Sequence, residues 1–310
     1  MWVINSIHPD PLIPRDGQRG EKPSGSASSS SSSEVHNSFI LSASVPINAV
    51  VGNASSVMPS FLQQEEHMGW SVGFADFCAR QFCGSKKKRA GNNNSGVKFS
   101  VRLEALDEAL DTANRRRSAG RRRTYHPYVV ERSDFYCCNE SLHITVRVVL
   151  TMSSAETTTP GQQQLLARDS SEAILRNIFE FGDPSFHKIL LEHIASVVLQ
   201  QKLRSNLITS LDAIAFVANG SILPRKSGTS DAPMASPPAV PFKAPSGSRM
   251  TINRIEIDMG SLAEHVPRQS ASSSSLELGI IERNEHTIVL SGLVVPKGIT
   301  LICGGGYHGE

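Results

Sequence analysis

The chain has 310 residues, 39% of them hydrophobic and 6% aromatic, with a formal net charge of +2. That is room for one large domain or two ordinary ones. So small a net charge excludes a uniformly basic nucleic-acid coat and leaves only local clusters to consider. No apolar run reaches the ~18 residues of a membrane-spanning helix, and the first residues lack the basic and apolar regions of a secretory leader. Five cysteines, Cys78, Cys83, Cys137, Cys138 and Cys303, form no recurring C-x-x-C pair. This disfavours a zinc site or a disulfide framework and predicts a reducing, intracellular setting that is cytosolic, nuclear or mitochondrial.

In chain order, residues 1–8 read as a strand that Pro9, Asp10 and Pro11 interrupt, and residues 15–38 are polar with an unbroken serine run from Ser28 to Ser33. Such low complexity predicts a disordered insertion, so residues 1–38 are taken as a partial strand plus that insertion. Phe39 to Val45 predicts a second strand. Trp70, Phe74, Phe77, Cys78 and Phe82 recur at helical spacing and predict a core-facing helix. Lys86, Lys87, Lys88 and Arg89 then predict an exposed basic loop ahead of a strand near Val97 to Val101, and Leu103, Leu106 and Leu110 fit a short amphipathic helix.

Two arginine clusters follow, Arg115, Arg116, Arg117 and Arg121, Arg122, Arg123, with Tyr125 and Tyr128 close behind. Three basic clusters within so short a stretch are candidate phosphate contacts, with salt-dependent affinity. Solvated loops or a localisation signal would have the same composition. Leu142, Ile144, Val146, Val148 and Leu150 alternate with His143, Thr145 and Arg147 and predict a half-buried strand, with His143 on its polar face. Residues 151–164 read as a loop. Asp169, Ser170, Ser171 and Glu172 resemble a helix start, with a cap residue and a glutamate three positions on. Gly182, Asp183 and Pro184 separate that helix from a second one, whose apolar stripe runs from Phe186 to Val198 and includes His193, read as a core histidine.

Beyond residue 211, Ala213 to Val217 predicts a strand. Arg225, Lys226, Ser230 and Asp231 sit in a loop rich in turn residues, where they are candidate phosphate or nucleic-acid contacts or members of a turn network. Ser272 to Ser275 mark another low-complexity loop, and Leu276 to Ile281 a further strand. Ile299 to Cys303 is an apolar run of the size of a buried strand. It leads into Gly304, Gly305, Gly306, Tyr307, His308 and Gly309, the glycine frame G-x-x-x-x-G of a phosphate-binding loop. Glycines let such a loop fold tightly and aim backbone N–H groups at a phosphate. The next position, where a lysine would reach the terminal phosphates, is Glu310.

The residue order carries more than its composition. Ala215 to Asp231 (AFVANGSILPRKSGTSD), then Val240 to Phe242 (VPF), then Pro296 to Gly309 (PKGITLICGGGYHG) closely resemble the predicted ATPases of the ABC class. In that soluble P-loop family the loop is similar to G-G-G-Y-H-G-K-S-T, so Gly304 to Gly309 match and Glu310 departs. The resemblance implies an α/β fold. An α+β N-terminal domain would span residues 39–210, and an incomplete ABC-type P-loop domain residues 211–310. It also implies ATP and Mg²⁺ as the cofactors of a complete protein, with RNA and a second copy of that protein as candidate partners.

The Walker A lysine and Ser/Thr, the Walker B carboxylate, the signature motif and the switch histidine would all lie beyond Glu310. The chain is therefore expected to be an N-terminal portion that does not hydrolyse or tightly bind ATP alone, with no catalytic residue and no metal site of its own. The alternative reading is a non-catalytic nucleic-acid-binding protein using residues 86–89 and 115–123.

Overall fold

Strict alternation along one strand organises the first half of the molecule. The computed structural model describes residues 3–10, 35–51, 68–85, 88–92, 98–106, 129, 131–138, 140–152, 159–179, 184–227, 230–235, 238–266 and 280–301. Its architecture is mixed α/β, and all strand pairs among these residues are antiparallel. Contacts divide the chain into two units. One comprises Met1–Gln63, Ala75–Tyr125 and Val130–Gly182; the other comprises Gln64–Phe74, His126–Val129 and Asp183–Glu310.

The first unit holds a six-stranded sheet in the order β1 (Val3–Pro9), β2 (Val35–Pro46), β6 (Ser141–Met152), β4 (Lys98–Ala105), β3 (Lys88–Asn92), with β5 (Phe135–Cys138) pairing β6 beyond the end of β4. In β6, Leu142, Ile144, Val146, Val148, Leu150 and Met152 are all buried, as are their β2 partners Val45, Ala43, Leu41 and Phe39. Two helices meet this apolar face. α2 (Met68–Gly84) enters the unit with its second half and sets Phe82 against Phe135, ring centroids 5.3 Å apart. Phe135 is the register partner of Ile144. α3 (Pro160–Phe179) reaches the same face, where Asn37, the partner of Leu150, donates to Gln163 Oε1 at 2.8 Å. A short helix α1 (Ile47–Val51) follows β2 directly.

Three sequence expectations are corrected in this unit. Leu103 belongs to strand β4, opposite Val148, and not to a helix. Val101, Leu103 and Ala105 are buried at period two, and pairing with the edge of β6 overrides the helical spacing of the leucines. Lys88 and Arg89 belong to β3, the strand that pairs with β4, instead of a loop. The helix expected to start at Asp169 starts at Pro160, and the predicted loop 151–164 loses its ends to β6 and α3. Thr159 is the cap: its N–H donates to Gln162 Oε1 at 2.9 Å, and Gln162 N–H donates to Thr159 Oγ1 at 3.3 Å. This is a reciprocal capping box with proline at the first helical position. Ser170 and Ser171 are buried mid-helix, and Ser171 Oγ donates to the Ala167 carbonyl at 2.6 Å.

Two buried carboxylates in this unit are paired. Asp76 accepts from Arg80 Nε at 2.5 Å and lies 3.9 Å from Arg132 Nη2. Asp10 accepts from Arg147 Nε at 2.7 Å and from Ser38 Oγ at 3.3 Å. Removing one partner of such a pair leaves an uncompensated buried charge.

The second unit is built on α4 (Pro184–Thr209) and strand β12 (Thr287–Pro296). β12 pairs with β10 (Thr251–Asp258) along one edge, and with β11 (Ile280–Arg283) and β7 (Ala213–Ala218) along the other. α4 packs against β7, β10 and a short 3-10 helix at Gly260–His265. The first turns of α2 approach α4 through two glycines. A Cβ on Gly69 would meet Gln201 Oε1 at 2.7 Å, and one on Gly73 would meet the Ile194 Cα at 3.3 Å. Two strand expectations shift here. The strand expected at 276–281 is described from Ile280 onward and runs to Arg283. The run expected to form a buried strand from Ile299 is not a strand in its described part, and Ile299 and Leu301 are exposed. Pro296 ends β12, Gly298 turns the chain with φ 124°, and no described strand takes residues 299–301 as a partner.

Phe135→Ala is expected to lower the unfolding free energy by about 3–5 kcal/mol, and Thr159→Ala by about 1 kcal/mol. Urea titration followed by far-UV circular dichroism measures both.

Candidate nucleotide-binding site

The segment from Asn219 to Met234 follows β7 and is tied down on both sides. The Asn219 side chain bridges two other parts of the unit: its Nδ2 donates to Ser291 Oγ at 2.8 Å, and its Oδ1 accepts from the Ala244 N–H at 2.7 Å. The backbone adds Asn219 N–H to the Ser291 carbonyl at 3.0 Å, Gly220 N–H to the Phe242 carbonyl at 2.7 Å, and Phe242 N–H to the Ser221 carbonyl at 2.8 Å. Gly220 sits at φ 82°, a conformation that favours glycine. Loop 219–221 is thereby laced to the Val240 to Ala244 segment.

From this base rises a two-stranded hairpin. Arg225–Ser227 form β8, Ser230–Pro233 form β9, and Ser227 pairs with Ser230. Met234 N–H closes the base by donating to the Pro224 carbonyl at 2.8 Å. The sequence reading of this segment as a loop is corrected. Gly228 in a two-residue connection is a hairpin signal. Arg225 and Lys226 are exposed on β8, while Ser230 and Asp231 are placed on β9 by their backbone. Two cations on a braced hairpin suit a phosphate-bearing ligand chemically.

A second clamp lies at the far end of β7. Asp212, at φ 48°, accepts the Lys297 N–H at its carbonyl at 3.1 Å, and its carboxylate accepts from Lys297 Nζ. This fixes β12 where the chain leaves it, ahead of the glycine run. Gly292 lets β7 and β12 approach: a Cβ there would lie 2.2 Å from the Val217 carbonyl oxygen.

The other residues singled out by sequence are dispersed. Gly304, Gly305, Gly306, Tyr307, His308, Gly309 and Glu310 lie outside the described residues, as do Lys86, Lys87, Arg115, Arg116, Arg117, Arg121, Arg122 and Arg123. Arg89 is exposed on β3. No group of three or more His, Cys, Asp or Glu among the described residues could hold a metal ion. Mg²⁺ commonly keeps its waters and binds largely through nucleotide phosphates, so a protein-only cage is not needed for it. No helix among the described residues is long and apolar enough to cross a membrane.

Neither Cys78 nor Cys137 is poised as a nucleophile. Burial, with Cys137 and Asp76 nearby, pushes the Cys78 thiol well above its ordinary value. Burial and the neighbouring Cys138 push Cys137 up to about 12. Both stay protonated at neutral pH, whereas the nucleophile is the thiolate.

Residues 187–259, from α4 through β10, match the family model ABC_ATPase, a P-loop domain. The match supports assigning this stretch to the ABC-class P-loop ATPases. The match includes the Asn219 bridge to Ala244 and the Arg225–Lys226 hairpin, and its other bonded partner, Ser291, lies on β12 outside the matched stretch. None of the curated proteins compared with the chain matches it. Sequence reasoning missed Asn219 itself. Its signal was the Asn-Gly step at the end of a strand, where the side chain can bond locally and the glycine can turn the chain.

Asn219→Ala is expected to cost about 1 kcal/mol, because it strands the part-buried Ala244 N–H and Ser291 hydroxyl that it serves. Thermal unfolding with Asn219→Asp as a partial rescue checks this. Gly292→Ala is expected to unfold the second unit or lower its Tm sharply, read by the same melts. Brief iodoacetamide treatment at pH 8 is expected to label Cys138, which is exposed, far faster than Cys78 or Cys137, as peptide mass spectrometry would show.

Proposed function

We propose that this chain provides nucleotide-binding elements of an ABC-type ATPase. In this reading Gly304 to Gly309 cradle phosphates through backbone N–H groups, and Arg225 and Lys226 add charge from the braced hairpin. The observation that carries the reading is the family match over residues 187–259, which contains that hairpin. In such an ATPase ATP would be the substrate, and Mg²⁺ would supply charge neutralisation at its phosphates. Phosphoryl transfer to water would rest on positioning and charge neutralisation, without a covalent intermediate. Glu310 sets a carboxylate where the loop's lysine would meet the terminal phosphates, so repulsion weakens binding and this chain does not turn over ATP.

A fluorescent ATP analogue titrated with Mg²⁺ tests the reading. Weak saturable binding is expected, weaker in Arg225→Ala/Lys226→Ala and at least about tenfold tighter in Glu310→Lys, the change expected from replacing repulsion by attraction at one phosphate. Absence of binding in both the wild type and Glu310→Lys overturns it. Phosphate release by the wild type above the rate of a Gly305→Asp variant would overturn the claim that it does not turn over ATP.

A second reading is contact with RNA through the basic clusters at 86–89 and 115–123. It is favoured by Arg89, which stands exposed on β3 beside β4. Salt-dependent binding of an oligoribonucleotide, lost when Arg115 to Arg117 and Arg121 to Arg123 become Ala, supports it.

A further inference from the structure

The sheet of the first unit has two chemically different faces. Both α3 and the second half of α2 lie on the Leu142 side. Register fixes what points the other way. Tyr136, His143 and Ser44 form one row across β5, β6 and β2, and Thr145 and Ser42 form the next, their hydroxyls 3.3 Å apart. Arg102, opposite Val149, lies farther along the same face, its side chain 57% exposed and its Nη2 2.5 Å from Glu104 Oε1. Same-face rows on a strand are spaced by ~7 Å.

Tyr136 is the unusual member. Its ring stacks on His143 with centroids 4.9 Å apart and planes 9° from parallel, and the residue is 43% exposed. A cross-strand pair of this kind stabilises a sheet without any ligand. Here, however, Tyr136 stands on β5, which among the described residues pairs only with β6, and it stays exposed with His143 stacked behind it and hydroxyls in the next row. Such a combination suits an unpaired base stacked on Tyr136, with sugar and phosphate groups on the Ser, Thr and Arg positions.

Charge agrees with that occupant. In the sequence between β4 and β5, residues 106–134 carry seven arginines, six of them in the runs Arg115 to Arg117 and Arg121 to Arg123, against the five carboxylates Asp107, Glu108, Asp111, Glu131 and Asp134, and Lys86 to Arg89 lead into β3. Both basic stretches join strands on the Tyr136 side of β6.

We propose that this open sheet face is a binding platform for single-stranded nucleic acid, with Tyr136 and His143 as the stacking site and Arg102 as a phosphate contact. The proposal rests on the nucleic-acid reading above and adds the surface and the strandedness of the ligand.

The test is fluorescence anisotropy of the full chain with a labelled oligouridylate and with a duplex of equal length, across a salt series. Preference for the single strand is expected, with about tenfold weaker binding in Tyr136→Ala. Tyr136→Phe should restore it, and thermal melts identify any variant that fails to fold. Unchanged affinity in Tyr136→Ala, or equal binding of the duplex, overturns the platform. If the arginine clusters matter and Tyr136 does not, the platform falls while the broader nucleic-acid reading stands. If no oligonucleotide binds at low salt, both fall.

Discussion

Each unit depends on a strand that hydrogen-bonds to three others. β6 joins β2, β4 and β5; β12 joins β10, β11 and β7. The two centres solve the same problem differently. β6 is alternating, so one face forms the core and the other stays polar. β12 is apolar through Ile288, Val289 and Leu290 and then needs Gly292, because the Val217 carbonyl occupies the space of a side chain. That close approach brings the end of β7 to Ser291, where the Asn219 amide can bridge to residues 242–244. The geometry of the basic hairpin therefore follows from a missing Cβ on another strand.

Legibility in the sequence tracked how local the deciding interaction is. The alternation of Leu142 to Leu150, the aromatic spacing of Trp70 to Phe82 and the stripe from Phe186 to Val198 are periodic, and all three elements are where periodicity puts them. Leu103 was misread because three leucines at helical spacing also permit a strand when a partner edge is available, and the sequence does not display that edge; Leu110 lies outside the described residues. The start of α3 was misread because Asp169 and Glu172 imitate a cap, although Thr159, Pro160 and Gln162 supply a better one. The family was legible from the order of residues 215–231, while the bonds that brace them were not. Asn219, Ser291 and Ala244 are distant in sequence, and only the fold brings them together.

The ionisable groups divide by environment. Asp76 and Asp10 are buried opposite arginines, where they specify how α2 and the β1 end meet their neighbours more than they add net stability. Cys78 and Cys137 are kept as thiols by burial. Exposed positive charge stands instead on strands, at Arg89, Arg225 and Lys226 and at Arg102 beside Glu104.

The clamp between Asp212 and Lys297 has a mechanical consequence. It joins the start of β7 to the end of β12, so tension applied between α4 and the chain beyond Gly298 meets this clamp first. Behind it the β7–β12 bonds are loaded one at a time from Ala213 and Pro296 inward, as in unzipping, not all at once as in shear. Such a junction peels at low force once its first fastening opens, which makes that one exposed ion pair the force threshold for separating the two strands.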